Sequence, residues 1–229
     1  MIKAVCFDLH ETLAHYDPPR EEVHVRACHE TGIQVESDAL RQSLPSADTL
    51  WREENSSHPI NKRSLEEKMA VYARYESEVL KGAGIEISSD TALKIISKVG
   101  EIGLRFKAYD DSLPTLELLK QRHLVLGLIS NVGHELASIC DDLGFTPYLD
   151  FKVSSLEVGC DKPHPGIFLT ALSRAGVKPQ EALYTGDQYD LDVVGAQGVG
   201  MKAVLLDRRN CAPYNCPRIC HLTEIVDYL

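Results

Sequence analysis

Two rhythms of apolar residues run through this chain of 229 residues. Short β-rich runs occupy residues 2–7, 124–129, 182–185 and 201–206, and the last three are separated by stretches of helical length. That alternation predicts a parallel, doubly wound α/β sheet. Residues 16–107 carry a different pattern, with no convincing strand and several three-and-four spacings. Leu65, Met69, Tyr72, Val79, Leu80 and Ala83 fall near one helical face, opened by Ser64 and Glu67 as a capping box and closed by Gly82 and Gly84. Ala92, Ile95, Ile96, Val99, Ile102 and Phe106 repeat the spacing, with N-cap candidates at residues 88–90. Pro18, Pro19, Pro45 and Pro59 are expected where helices begin or end. The insert reads as a separate helical domain whose stripes form helix-on-helix core.

Three of the predicted strands run straight into polar residues: the first into Asp8, the second into Ser130 and Asn131, the third through Gly186 into Asp187. In an open parallel sheet the carboxyl ends of the strands share one edge, where such folds bind ligands. A polar residue at one strand end is an ordinary loop cap. Three at three strand ends point to a site where these groups converge.

Composition narrows the partners. The formal charge of −10 and pI near 5.4 argue against general affinity for nucleic acid or an anionic membrane. No apolar run is long enough to span a bilayer. An anionic small molecule would therefore need local positive charge. Seven cysteines, an odd number and scattered, fit reduced thiols in a cytoplasm better than a disulfide framework. Cys211, Cys216, Cys220 and His221 lack the paired C-x₂-C spacing of common zinc folds, so core and loop roles are expected for these cysteines. His10-Glu11-x₃-His15 has one residue too many for a zinc-protease helix. Gly195, Gly198 and Gly200 do not form a dinucleotide fingerprint and are expected to let a helix end and return to a strand.

The ordered set Asp8-Leu9-His10-Glu11-Thr12-Leu13, Ser130-Asn131, Lys162-Pro163 and Gly186-Asp187-x₄-Asp192 resembles the four motifs of the haloacid dehalogenase-like hydrolases, and the match covers nearly the whole chain. Leu113-Pro114-Thr115-Leu116, Gly127-Leu128-Ile129-Ser130-Asn131 and Gly195-Ala196 resemble the helical-cap branch, which contains phosphoglycolate phosphatases and 2-haloacid dehalogenases. The resemblance implies a Rossmann-like catalytic core of residues 1–15 and 108–229 and an inserted α-helical cap of residues 16–107 that closes over the site. It also implies a Mg²⁺-dependent phosphatase that cleaves a small phosphorylated metabolite through an aspartyl phosphate at Asp8. No protein partner is predicted.

Each residue has a chemical reason for its place. Asp8, held ionised against a divalent cation, can attack phosphorus or carbon and form a covalent intermediate that water later breaks. Asp187 can give Mg²⁺ a second carboxylate oxygen, with Asp192 a direct or indirect partner. By the resemblance, the His10 backbone carbonyl is a further ligand. Lys162 supplies positive charge beside a phosphate, and with Thr12, Ser130 and Asn131 makes up the candidate substrate-binding set. His10 is the departure, because phosphatases of this superfamily carry there a second Asp that protonates the leaving group and activates water. An imidazole can do acid–base work near neutral pH. Two alternatives stand beside the phosphatase. In a 2-haloacid dehalogenase Asp8 would attack carbon without metal; retention of both Asp187 and Asp192 argues against it, since like charges would then lie together unneutralised. A catalytically weak ligand-binding member is the other, resting on His10 alone.

Overall fold

The computed structural model describes residues 1–58, 60–131 and 136–229; Pro59, expected at a helix end, lies outside them. In chain order the elements are β1 (Ala4–Phe7), β2 (Ala14–Tyr16), α1 (Arg20–Glu30), α2 (Ser37–Ser57), α3 (Leu65–Gly82), α4 (Ser89–Ile102), β3 (Phe106–Ala108), α5 (Ser112–Gln121), β4 (Val125–Ser130), α6 (Leu136–Asp142), β5 (Phe151–Ser154), α7 (Ser155–Val158), α8 (Pro165–Ala175), β6 (Ala182–Gly186), α9 (Val194–Gly198), β7 (Lys202–Leu206) and β8 (Arg218–Ile219). They group into two compact units, Met1–His15 with Phe106–Leu229, and Tyr16–Arg105. No helix among the described residues is long and apolar enough to cross a membrane.

The first unit is built on a six-stranded sheet of order β5-β4-β1-β6-β7-β8, with every neighbouring pair parallel. This is the doubly wound arrangement the strand runs predict: the chain starts at the centre, winds outward through β4 and β5, then returns to the other side of β1. Alternate β1 residues serve opposite faces. Val5 and Phe7 join Leu116, Leu119 and Leu126 in one core layer, while Ala4 and Cys6 join Ile167, Phe168 and Ala171 in the other. Truncating a fully buried ring such as Phe7 to alanine would cost about 3–5 kcal/mol. The two outermost strands, β5 and β8, lack a strong sequence signal because edge strands are short and carry polar residues, here Lys152 and Arg218.

Residues 14–16 and 106–108 form a separate two-stranded sheet, which corrects the reading of Phe106 as the last member of a helical stripe. The helix stops earlier because Gly103, at φ 79°, caps it after Ile102, its N–H bonded to the Val99 carbonyl.

In the second unit α1 to α4 enclose a core that includes Val23, Ala27, Leu40, Leu44, Val79, Leu80 and Ile95. The capping box at Ser64 and Glu67 is present. The end of α3 is a Schellman turn, with Ile85 N–H on the Leu80 carbonyl and Gly84 N–H on that of Lys81. Leu65 and Met69, expected in the core, are exposed; the buried side of α3 is Val71, Ala73, Glu76, Val79 and Leu80. Pro45, expected at a helix boundary, lies inside α2. An interior proline costs a helix about 3 kcal/mol, but burial of Leu40, Leu44 and Ala47 on this same helix offsets it at about 1.5–3 kcal/mol for each large side chain.

Candidate active site

β1 and β6 lie side by side where the winding direction reverses, with Phe7 opposite Thr185 and the Asp8 N–H donating to the Thr185 carbonyl at 3.0 Å. Both strands then end, which brings Asp8 and Asp187 to neighbouring strand ends at the switch point. Asp192 comes from a π-helical turn, Tyr189–Val193, a widened turn often found at functional sites. The Gln188 N–H donates to Asp192 Oδ2 at 3.0 Å. This carboxylate folds so closely over Gly186 that a Cβ there would lie 2.3 Å from its oxygen, so the glycine before Asp187 is a steric necessity. One oxygen each from Asp8, Asp187 and Asp192 lie within 4.8 Å of one another.

Lys162 reaches into this cluster from the loop before α8 and is only 5% exposed. Its Nζ donates to Asp8 Oδ1 at 2.6 Å, Asp192 Oδ1 at 2.7 Å and the Tyr184 hydroxyl at 3.0 Å. Its backbone is fixed by Asn131, whose Oδ1 accepts from the Lys162 N–H at 2.8 Å and whose Nδ2 donates to the Lys162 carbonyl at 3.3 Å. The second and third sequence motifs are thus joined by one amide side chain. Pro165 then opens α8, and His164 Nδ1 accepts from the Gly166 N–H at 3.1 Å.

Three carboxylates face one ammonium. Burial raises the Asp8 carboxyl from its usual 3.8 to about 6, with Lys162 opposing the shift and Asp192 reinforcing it. Asp187 is driven well above the ordinary carboxylate range by burial first and then by Asp8 and Asp192. Burial would lower Lys162, but Asp192 and Asp8 overcome it and keep the ammonium protonated. The hydrogen bonds divide the cluster further. Asp192 accepts from Lys162, Tyr184 and Gln188, whereas Asp187 Oδ1 is buried with no hydrogen-bond partner among the described residues. A bare carboxylate oxygen in an acidic recess is what a divalent cation satisfies, so the residues present fit a metal site.

Of the remaining predicted residues, Thr12 is buried with its hydroxyl 3.5 Å from Asp8 Oδ2, and Ser130 is buried at the end of β4. The His10 ring is partly exposed, with Nε2 3.6 Å from Glu11 Oε1 and the ring T-shaped to Phe106 at 6.0 Å between centroids. Two features were missed from sequence. Tyr184 was read as a strand residue, though a buried tyrosine must find a partner for its hydroxyl. A second network begins at Glu11, held at φ 58°, whose carboxylate accepts from the Tyr109 hydroxyl at 2.7 Å. Arg208 stacks on that ring at 3.8 Å, donates twice to Asp111 and once to the Thr12 carbonyl at 2.8 Å. Nothing in the local spacing of Arg208 signals this role. All seven cysteines are free, and among the described residues only the Asp8 cluster has metal-ligand geometry.

An acidic cluster with a buried lysine beside it, at the carboxyl edge of a parallel α/β sheet and at its switch point, occupies the place where such folds bind ligands. Residues 2–200 match the haloacid dehalogenase-like hydrolase family, and the chain belongs to that family. It is 32% identical over 214 residues to glyceraldehyde 3-phosphate phosphatase of Methanopyrus kandleri, covering 91% of this chain and 85% of that one. A HAD phosphatase from Thermococcus onnurineus is similar in structure at a TM-score of 0.62 and 25% identity, over 99% of this chain and 97% of that one. A 2-haloacid dehalogenase from Pseudomonas syringae is similar at 0.60 and 26%, with the same two coverages of 99% and 97%.

Proposed function

We propose that this hydrolase is a phosphatase of small phosphorylated metabolites, with Asp8 as nucleophile and Mg²⁺ as cofactor. The observation that carries this reading is the bare Asp187 oxygen beside a nucleophile-lysine pair. Asp8 and Asp187, with the His10 carbonyl, are the proposed protein ligands. Asp192, which accepts from Lys162, Tyr184 and the Gln188 N–H, is proposed to hold Lys162 and, through the lone pair left on Oδ2, to be a direct or indirect partner of the metal. Bound Mg²⁺ would neutralise the carboxylates and polarise the phosphoryl group.

The protein's own part follows from placement. An Asp8 oxygen forms a bond to phosphorus as the ester oxygen leaves and takes a proton, for which His10 is the proposed donor. Water then attacks the aspartyl phosphate, releasing inorganic phosphate and regenerating Asp8. Lys162 moves one N–H from Asp8 to a phosphoryl oxygen, and the hydroxyls of Ser130 and Thr12 are the proposed further donors. Asn131 serves by holding the Lys162 backbone. The helical unit is the proposed cap and the seat of substrate selection, and a cytoplasmic setting fits the free cysteines.

Phosphate and halide release should be measured from glyceraldehyde 3-phosphate, other phosphomonoesters and short 2-haloacids, each with Mg²⁺ and with chelator. Mg²⁺-dependent phosphate release that disappears in Asp8→Asn is expected. Halide release in the presence of chelator would overturn the reading in favour of a dehalogenase.

A further inference from the structure

Tyr184 is fully buried in β6, and its ring packs edge-on against Phe168 at 5.4 Å. Phenylalanine would fill that space equally well, so packing does not account for the hydroxyl. That hydroxyl lies 3.0 Å from Lys162 Nζ and 3.0 Å from Asp192 Oδ1. Its single proton faces the carboxylate at 3.0 Å and, more distantly, the Ile129 carbonyl at 3.4 Å; in either case an oxygen lone pair is left to accept from the ammonium. Burial, followed by Asp192 and Asp8, pushes the phenol well above its ordinary value, so the proton stays on it.

Lys162 has three N–H groups and three acceptors: Asp8 Oδ1, Asp192 Oδ1 and the Tyr184 hydroxyl. Asp8 is the only one of the three whose carboxylate is consumed by the proposed chemistry. When Asp8 carries a phosphoryl group, the lysine must release it, and the other two contacts decide where the ammonium then points. Asp192 alone would act as a pivot. A second contact from within the sheet prevents rotation about that pivot.

We infer that Tyr184 is a positioning residue, whose hydroxyl and Asp192 together hold the Lys162 ammonium from behind so that its third N–H stays aimed at the phosphoryl position. The hold itself stands on the distances above; its catalytic consequence rests on the phosphatase reading.

The test compares wild type with Tyr184→Phe, which keeps the ring and loses only the hydroxyl. In chelator, the ¹H–¹⁵N spectrum of the lysine ammonium groups, assigned through Lys162→Arg, should show a protected Lys162 signal with a nuclear Overhauser contact to Tyr184. In Tyr184→Phe that signal should broaden through faster exchange with water while the melting temperature changes little. On a phosphomonoester, kcat should fall about tenfold, the loss typical of one hydrogen bond to a charged group, with KM changing much less. An unprotected Lys162 signal in wild type would overturn the inference even if the variant failed to fold. So would an unchanged signal and kcat in Tyr184→Phe. If wild type hydrolyses no phosphomonoester, the phosphatase reading falls, and the ammonium spectrum still decides the hold.

Discussion

Replacing Asp187 with asparagine should stabilise the protein in the absence of metal. At the 4.8 Å outer limit of the carboxylate cluster, two unit charges repel by about 3.5 kcal/mol at an effective dielectric of about 20. Asp187 meets two such neighbours, Asp8 and Asp192, and one opposing cation, Lys162. The net is about 3 kcal/mol of uncompensated repulsion, and the buried, unpartnered Oδ1 adds a desolvation cost. For a chain of this size each kcal/mol moves the melting temperature by about 2–4 °C, so Asp187→Asn should melt about 6–12 °C higher in chelator at pH 8. The difference depends on pH. A carboxyl whose folded pKa lies above its unfolded value stabilises the fold fully below the unfolded value, and that contribution is lost as pH rises through the folded one. For Asp8 this loss runs from 3.8 to about 6; for Asp187 it extends upward from 3.8 to a raised folded value. The advantage of the variant should therefore be small near pH 4 and grow toward pH 8. On the proposed metal reading, Mg²⁺ at about 100 times its Kd should close most of that gap, since it would stabilise the wild type by about 2.7 kcal/mol and the variant, lacking one carboxylate ligand, should bind it weakly. Scanning calorimetry of both proteins at pH 4 and pH 8, with chelator and with Mg²⁺, measures all of this. A variant no more stable than wild type at pH 8 in chelator, or a gap that Mg²⁺ leaves unchanged, would refute the reasoning.

Arg208→Ala removes charged hydrogen bonds to Asp111 and Thr12 and should cost about 2–3 kcal/mol by denaturant titration; Arg208→Lys should not rescue it, because a single ammonium cannot reproduce the two-pronged contact. Gly82→Ala places a methyl group 2.5 Å from Ser43 Cβ, where α2 and α3 approach closely, and should destabilise by about 1–3 kcal/mol; unchanged stability would show that the helices can separate at no cost. His10→Asp should raise turnover of alkyl phosphates at neutral pH by about 10²-fold while changing aryl phosphates, whose leaving group needs no proton, far less. Should His10→Asp be inactive while His10→Ala keeps full rate, His10 has no part in proton transfer.

The central sheet was legible because β1, β4, β6 and β7 are buried on both faces and show as apolar runs. The edge strands were not, since half-exposed segments such as β5 carry ordinary polar residues. Within the site, Asp8 and Asp187 could be placed together because topology alone sends the ends of both strands to the switch point. The burial of Lys162 could not be anticipated, for its depth depends on an amide 31 residues earlier that fixes its backbone. Tyr184 left a readable trace, a phenol hydroxyl in a strand buried along its whole length. Arg208 left none, because its partners Thr12 and Asp111 lie 196 and 97 residues away. In the helical unit, local capping signals were read correctly at both ends of α3, while the side it buries was misjudged at Leu65 and Met69, since which face meets a neighbour is set by packing.

The charge on the site bears on which reaction it suits. Counted in their charged forms, Asp8, Asp187 and Asp192 would set three negative charges against the single positive charge of Lys162, a sum that the raised Asp187 carboxyl already resists. A substrate that is itself a dianion would be repelled from such a site, and so would the monoanion of a haloacid. One divalent cation brings the sum to zero, at which point a phosphate ester can enter without a net electrostatic penalty. Attack on carbon needs no such neutralisation of the transferring group, and a metal-free site would then keep two buried like charges beside its nucleophile for no catalytic return. The hydrogen bonds favour the same side, because both oxygens of Asp192 accept from protein groups, Lys162, Tyr184 and Gln188, whereas Asp187 keeps one oxygen without a partner among the described residues. That asymmetry suits one carboxylate holding the lysine and the other holding a cation, which is the division of labour phosphoryl transfer requires of a nucleophile that must stay ionised.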